Sequence, residues 1–241
     1  MPGYTLEGQR VVIIGGSSGI GLAVAECAIA DGAEVVVGSS NAANVEAAAS
    51  RLGNAATGAV VDVRDEASVE AFLKGVAGFD HLVFTAGDWD PSMFAGSVAQ
   101  LDFGTVDAGL KVRFWGALMA VKHALPHLSE RGSITLTDGV LVHRPRKGMP
   151  LTAAFGGAIE HLVRGLAVDI APVRVNAVCP GFVLTERARQ MPPQTIQQMT
   201  GHQPLPRPAD PAEVAQAYLY AMRGGYTTGQ VLIVDGGLLL V

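Results

Sequence analysis

The sequence predicts an α/β protein with a doubly wound parallel sheet in a single domain, residues 1–241. Two observations predict the class. Short β-branched runs alternate with longer helical stretches along the whole chain, and the runs are apolar throughout instead of at every second position. Strands of that kind are buried on both faces, as in a parallel sheet covered by helices on either side. A third observation, a glycine-rich stretch directly after the first run, marks the ligand end. In open α/β sheets ligands bind outside the carboxyl ends of the strands.

In chain order, "RVVIIGG" (10–16) is the first strand, and "IGLAVAECAIADG" (20–32) is the helix after it, stopped by glycine. Further strands are expected at 33–38, 58–63, 80–87, 132–137, 173–181 and 229–237. Helices are expected over 42–52, 66–77, 105–128, 152–170 and 211–223. "MPPQTIQQMTGHQPLPRPADP" (191–211) is the one long proline-rich departure. It belongs to a substrate flap at about 184–211 and does not divide two domains.

Composition excludes several classes of function. A net charge of −5 without a Lys/Arg cluster argues against a nucleic-acid surface, and "HRPRK" (143–147) reads as a solvated loop. Hydrophobic residues at 49% and charged ones at 16% describe an apolar globular chain without disordered segments. Cys27 and Cys179 each sit inside an apolar stretch, as buried thiols do in a reducing compartment. No metal is expected. The N-terminus lacks a charged-then-apolar signal segment, and no run approaches the roughly 20 apolar residues of a membrane span. A cytoplasmic protein with a small-molecule substrate is expected, without nucleic-acid or membrane partners.

The first chemistry lies in "VVIIGGSSGIG". Gly15, Gly19 and Gly21 follow a strand and open a helix. Glycine there allows the tight turn and lets backbone N–H groups approach a pyrophosphate at the positive helix end. The spacing G-x-x-x-G-x-G resembles the short-chain dehydrogenases/reductases, and three later stretches extend the resemblance over essentially the whole chain. "FTAG" (84–87) stands where the family has N-A-G. "RVNAVCPG" with "FVLTE" (174–186) matches its R-V-N-x-x-x-P-G segment, and "TTGQVLIVDGG" (227–237) its usual ending.

That resemblance implies a seven-stranded Rossmann sheet, NAD or NADP as cofactor, and a homodimer or homotetramer. It implies that Ser17, Ser18 and Ile20 line the phosphates and that Asp62 and Val63 touch the adenine. Ala86 and Gly87 would lie under the ribose. Val183 and Thr185, in the segment led by Pro180 and Gly181, would hold the nicotinamide amide and the pyrophosphate. The end of the second strand, "VVVGSSNAAN", has no carboxylate to repel a 2′-phosphate, and Ser39, Ser40 and Asn41 are neutral donors. NADP is therefore expected over NAD.

The proton machinery is another matter. In the family a tyrosine protonates the carbonyl oxygen, and a lysine four residues later lowers its pKa. A serine upstream fixes the carbonyl, and a helix asparagine anchors a water relay. Aligning "RGLAVDIAPVRVNAVCPG" without gaps puts Thr152 at the tyrosine and Gly156 at the lysine. Gly139 falls at the serine and Arg113 at the asparagine. All four are replaced. A threonine hydroxyl is far too weak an acid to stand in for a phenol of pKa about 10. Three titratable groups remain nearby: Arg113, Asp138 and His143. Arg113 and Asp138 are the catalytic candidates, as a charge pair across the cleft, or else a buried structural salt bridge. His143 reads as an exposed loop residue, and Trp89 and Asp90 as one wall of the pocket.

These replacements are similar to those of divergent family members that lack the Tyr/Lys pair, among them fungal reductases of indole-alkaloid pathways. The sequence thus points to an NADP-dependent reductase with an atypical site, acting on an imine, an iminium or another activated double bond. The alternatives are a non-catalytic NADP(H)-binding pseudoenzyme and a carbonyl reductase using a substituted acid such as Asp138.

Overall fold

Seven parallel strands form in the expected order in the computed structural model, which describes residues 5–76, 78–87 and 98–241. They are β1 (Arg10–Ile14), β2 (Glu34–Ser39), β3 (Ala56–Val60), β4 (Phe79–Phe84), β5 (Leu128–Thr137), β6 (Arg174–Pro180) and β7 (Val231–Val234). Their spatial order is β3-β2-β1-β4-β5-β6-β7, so chain direction across the sheet reverses between β1 and β4. In open sheets of this kind ligands bind in the crevice outside the carboxyl ends of the strands at such a switch point.

The helices cover both faces. On one side lie α1 (Gly19–Ala30), α2 (Ala42–Leu52) and, late in the chain, the helix Pro211–Arg223. On the other lie α3 (Glu66–Val76), α4 (Phe103–Leu110), α5 (Gly116–Ala124) and α6 (Pro150–Asp169). A short α7 (Pro193–Thr200) stands in the flap, which makes Pro211–Arg223 α8. Helix α1 is apolar nearly all round because it is covered twice: Leu22, Val24, Ala25 and Ala28 share one buried cluster with strand residues and with Val214, Tyr218 and Leu219 of α8. Helix α8 starts on a capping box, Asp210 with Glu213, and carries proline in its first turn.

Three features depart from the sequence expectation. Strand β3 ends at Val60, so Asp62 and Val63 lie beyond it, in the turn toward α3. The helix expected over 105–128 is two helices joined by a π-helical segment, Lys111–Trp115, and the chain has turned into β5 by Leu128. An extra residue per turn there re-aims the following side chains, a device common at functional sites. The flap holds α7 and is pinned to the segment after β6 by a bridge between Val183 and Ala209. Trp89 and Asp90 lie outside the described residues. No helix among the described residues is long and apolar enough to cross a membrane.

Two residues of "RVNAVCPG" are structural. The Arg174 guanidinium donates to the carbonyls of Ala221 and Met222, two of the last carbonyls of α8. Asn176 donates to Thr227 O and accepts from Gln230 N–H, fastening β6 to the turn before β7. His81 of β4 is also internal: its Nδ1 lies 2.8 Å from Ser133 Oγ and its Nε2 2.7 Å from Gln9 Oε1. Burial, reinforced by the positive charge of Arg174, pulls its pKa down to about 4 from 6.5.

The folded state therefore binds fewer protons than the unfolded chain between those two pH values, and stability rises with pH across that window. The contribution is complete above the unfolded value and is lost as pH falls toward about 4, by about 3 kcal/mol for a shift of this size. Denaturant unfolding at neutral pH and near pH 4.5 should show that loss, and His81→Gln should flatten it. An unchanged acid loss in His81→Gln would assign the effect elsewhere.

Candidate active site

The crevice is floored by glycine. A Cβ on Gly21 would overlap the Gly15 carbonyl, and one on Gly15 would stand 2.5 Å from Ala86 N. The β1–α1 turn thus rests directly on the end of β4, with no side chain between. Gly15 has φ of +93° and Gly19 of +53°, conformations that glycine adopts at little steric cost. Thr185, after β6, reaches the same turn, its Cγ2 lying 3.1 Å from where a Gly19 Cβ would be. The fold therefore brings together Gly15, Gly19 and Gly21, Ala86, and the Pro180-to-Thr185 segment from three distant stretches.

The loop is built for an anion. No acidic residue stands in the first turn of α1, and its N-cap Ser18 makes no side-chain cap bond. The positive end of the helix is left open to an outside group. It already holds one: Gly19 N–H donates to Glu186 Oε2 at 3.1 Å. A carboxylate stands where a pyrophosphate oxygen would be received, so the residues fit a dinucleotide. Ser17 and Ile20 complete the turn, half-buried.

At the adenine end, Ser39 closes β2 and is half-buried, while Ser40 is exposed. Asn41 also caps α2, its side-chain oxygen accepting from Asn44 N–H, which leaves its amide nitrogen as the donor. Asp62 is held by Arg64 through two hydrogen bonds of 2.9 Å, which with burial opposing them keep its carboxyl below the usual range. Val63 is buried under Gly116 of α5.

The positions of the family's proton machinery divide sterically. Gly139 is extended, φ −175°, and a Cβ there would meet nothing closer than Pro180 O at 3.9 Å. Gly156 is the opposite case, since a side chain there would overlap Val142. Thr152, aligned by sequence with the tyrosine, has a buried hydroxyl with no hydrogen-bond partner among the described residues. Arg113, delivered by the π-helical segment, brings its guanidinium against Gly87, Nη2 lying 3.1 Å from a Cβ built there.

Asp138 turns elsewhere. Its carboxyl is buried against Glu160 and Cys179, and neither oxygen has a well-formed hydrogen bond, so no Arg113–Asp138 hydrogen bond forms. Burial and then the neighbouring Glu160 push its pKa up to about 8, and burial likewise pushes the Cys179 thiol up. His143 is partly exposed as expected, but its Nε2 sits 2.6 Å from Glu160 Oε1. Sequence reasoning misses Glu160 and Glu186. Glu160 does carry a signal: it lies one turn beyond Gly156 on α6, so it faces the same way.

A family model described as enoyl-(acyl carrier protein) reductase matches residues 15–239. The chain belongs to the short-chain dehydrogenase/reductase family. The short-chain dehydrogenase/reductase ATR9 of Stachybotrys chlorohalonatus is 35% identical, over 98% of this chain and 99% of its own length. The structure of MalC reductase/Diels-Alderase from Malbranchea aurantiaca superposes with a TM-score of 0.91 at 32% identity, over 98% of both chains. A small-chain dehydrogenase in complex with NADPH matches with a TM-score of 0.82 at 32% identity, over 97% of this chain and 99% of that one.

In this short-chain dehydrogenase/reductase, Glu186 accepts from Gly19 N–H at the start of α1, and a bound anion there is expected to displace it. Glu186→Gln should strengthen nicotinamide dinucleotide binding by about two- to fivefold, the range of one charge at a helix N-terminus. Fluorescence titration reads it, and weaker binding by the variant would mean that Glu186 helps to hold the cofactor.

Proposed function

We propose that the chain is an NADP-dependent reductase that delivers hydride to an imine, an iminium or another activated double bond. The observation that carries this reading is Val142 in the space of the lysine side chain, beside an intact phosphate turn. An acid of the tyrosine–lysine kind cannot be rebuilt there without moving Val142. A protonated imine brings its own proton and needs only hydride and a shaped, charged pocket. The similarity to MalC, whose structure is described as a reductase/Diels-Alderase, supports a reductase, and the similarity to an NADPH complex supports the cofactor.

NADPH supplies the hydride when bound. The residues of the chain hold it in place. Gly15, Gly19, Gly21, Ser17, Ser18 and Ile20 receive the pyrophosphate, while Ser39, Ser40 and the Asn41 amide face the 2′-phosphate. Asp62 and Val63 flank the adenine. Ala86 and Gly87 underlie the ribose, and Val183 and Thr185, after Pro180 and Gly181, hold the nicotinamide end. Arg113, against Gly87, is placed at the reacting end. Asp138, the second catalytic candidate, stands in the wall with its carboxyl beside Glu160 and Cys179. Exposed Phe103, Trp115 and Val168, on α4, the π-helical segment and α6, mark the faces on which we place a homo-oligomeric contact.

Wild-type protein should bind NADPH more tightly than NADH, and Ser39→Asp should reverse the order by adding like-charge repulsion and a ribose acceptor together. A tenfold wild-type preference for NADH, about 1.4 kcal/mol, would refute the assignment of the 2′-phosphate site.

The class itself is tested by single-turnover NADPH oxidation with ketones, cyclic imines and enones. Turnover is expected with cyclic imines or enones, whereas binding without turnover on any class would select the non-catalytic reading. With the substrate found, Thr152→Val should change the rate only a few-fold, since its hydroxyl contributes at most one hydrogen bond of about 0.5–1.5 kcal/mol. Arg113→Ala should cost about 10²-fold or more while NADPH affinity changes little. Abolished turnover in Thr152→Val with normal turnover in Arg113→Ala would return the threonine to the role of acid.

A further inference from the structure

Behind the cleft wall, three side chains far apart in sequence converge. His143 follows the short turn after β5, Glu160 faces inward from α6, and Cys179 stands near the end of β6. His143 Nε2, a Glu160 carboxylate oxygen and Cys179 Sγ all lie within 4.8 Å of one another. The Asp138 carboxyl adjoins both Glu160 and Cys179. Glu160 is 3% exposed, Cys179 0% and Asp138 8%.

This cluster holds more acceptors than donors. Both oxygens of Asp138 and Oε1 of Glu160 are buried without a well-formed hydrogen bond. His143 meets Glu160 Oε1 at 2.6 Å but off the line of a hydrogen bond, and Arg164 reaches only the other Glu160 oxygen, at 3.6 Å. Buried carboxyl groups are ordinarily paired, hydrogen-bonded or bound to a cation.

We propose that His143, Glu160 and Cys179 bind a divalent transition-metal ion of the Zn²⁺ class, with Asp138 as the carboxylate beside it. The donor set selects the ion. A thiolate and an imidazole favour Zn²⁺ and its neighbours over Mg²⁺ or Ca²⁺, which take oxygen ligands. Ligand atoms around a tetrahedral ion, each about 2.0–2.3 Å from it, stand about 3.5 Å apart. From a spacing of up to 4.8 Å the Cys179 side has to close by up to about 1.3 Å, while His143 Nε2 and Glu160 Oε1, now 2.6 Å apart, open by about 1 Å.

On binding, the Cys179 thiol loses its proton to solvent, and the two positive charges of the ion are met by the thiolate and Glu160. His143 is 34% exposed at its side chain and provides the way in. The ion ties the loop after β5 to α6 and β6, three segments that frame Gly139 and Gly156. It is a structural clamp and takes no part in hydride transfer.

Chelator-treated protein titrated with Co²⁺ tests this without any substrate, so the result is independent of the proposed reaction. One ion per chain is expected, with a thiolate-to-cobalt charge-transfer band and the visible bands of a four-coordinate ion, both displaced by Zn²⁺. Cys179→Ser should remove the charge-transfer band, and Cys27→Ser should leave it. His143→Ala should weaken Co²⁺ uptake by at least about tenfold. This partly exposed position also tests the site should Cys179→Ser fail to fold. Dinucleotide binding, read by fluorescence, verifies that each variant is folded. A folded wild type without the band, a band that survives Cys179→Ser, or unchanged affinity in His143→Ala would overturn the site.

Discussion

The contact between Gly15 and Gly21 sets where everything else in the crevice can stand. Helix α1 leaves β1 so tightly that neither residue has room for a Cβ, and the turn lies directly on the backbone at the end of β4. Overpacking even a well-packed core by a methyl group costs about 1–3 kcal/mol, and here the obstruction is backbone, which cannot swing aside. Three consequences come from this one approach. The positive end of α1 points into the crevice at the switch point between β1 and β4. Thr185 and Glu186 descend onto it from the end of β6. The path of β4 beyond Ala86 brings Gly87 under Arg113.

That geometry preserves one half of the site and leaves the other free to change. The cofactor half is made of backbone and close packing, so it tolerates few substitutions. The four positions that the sequence resemblance sets against the family's proton machinery have different steric surroundings. Gly139 remains open to a larger residue, whereas Gly156 is closed by Val142. Gly156 is part of the packing between α6 and the loop after β5, and any side chain there requires Val142 to move.

What is legible in the sequence follows from how local each determinant is. Continuous apolar runs disclose the strands most clearly at the centre of the sheet, where β1, β4 and β6 are buried along nearly their whole length, whereas the edge strand β3 is largely exposed and is legible only from its place in the alternation. The glycine turn is legible because the strand, the loop and the helix are contiguous. The π-helical segment at Lys111–Trp115 is not, since one extra residue hardly disturbs the apolar periodicity of a long helix. Helix α7 is hidden by prolines that read as breakers, although proline in a first turn starts a helix well. The apolar run puts β3 two or three residues late because Val61 and Val63 are buried after the pairing has ended. The contact of Glu186 with Gly19 spans 167 residues and has no local trace. Sequence spacing sets Asp138 opposite Arg113, yet the way its carboxyl turns is decided by Glu160 and Cys179, which only the assembled sheet brings near.

The inward turn of Asp138 and the closing of Gly156 by Val142 meet on one face of α6. Thr152, Gly156 and Glu160 are spaced by four along α6 and occupy a single stripe of that helix. In the family pattern this stripe presents its titratable groups at the first two positions, beside the cofactor. Here the first is a hydroxyl, the second is bare, and the titratable group stands one turn further on, among Asp138, His143 and Cys179. Gly156 is closed by Val142, the Thr152 hydroxyl is buried, and Arg113 lies against Gly87 beyond the end of β4. For the reduction proposed above, a wall of this kind among the described residues would leave the proton to be brought by the substrate.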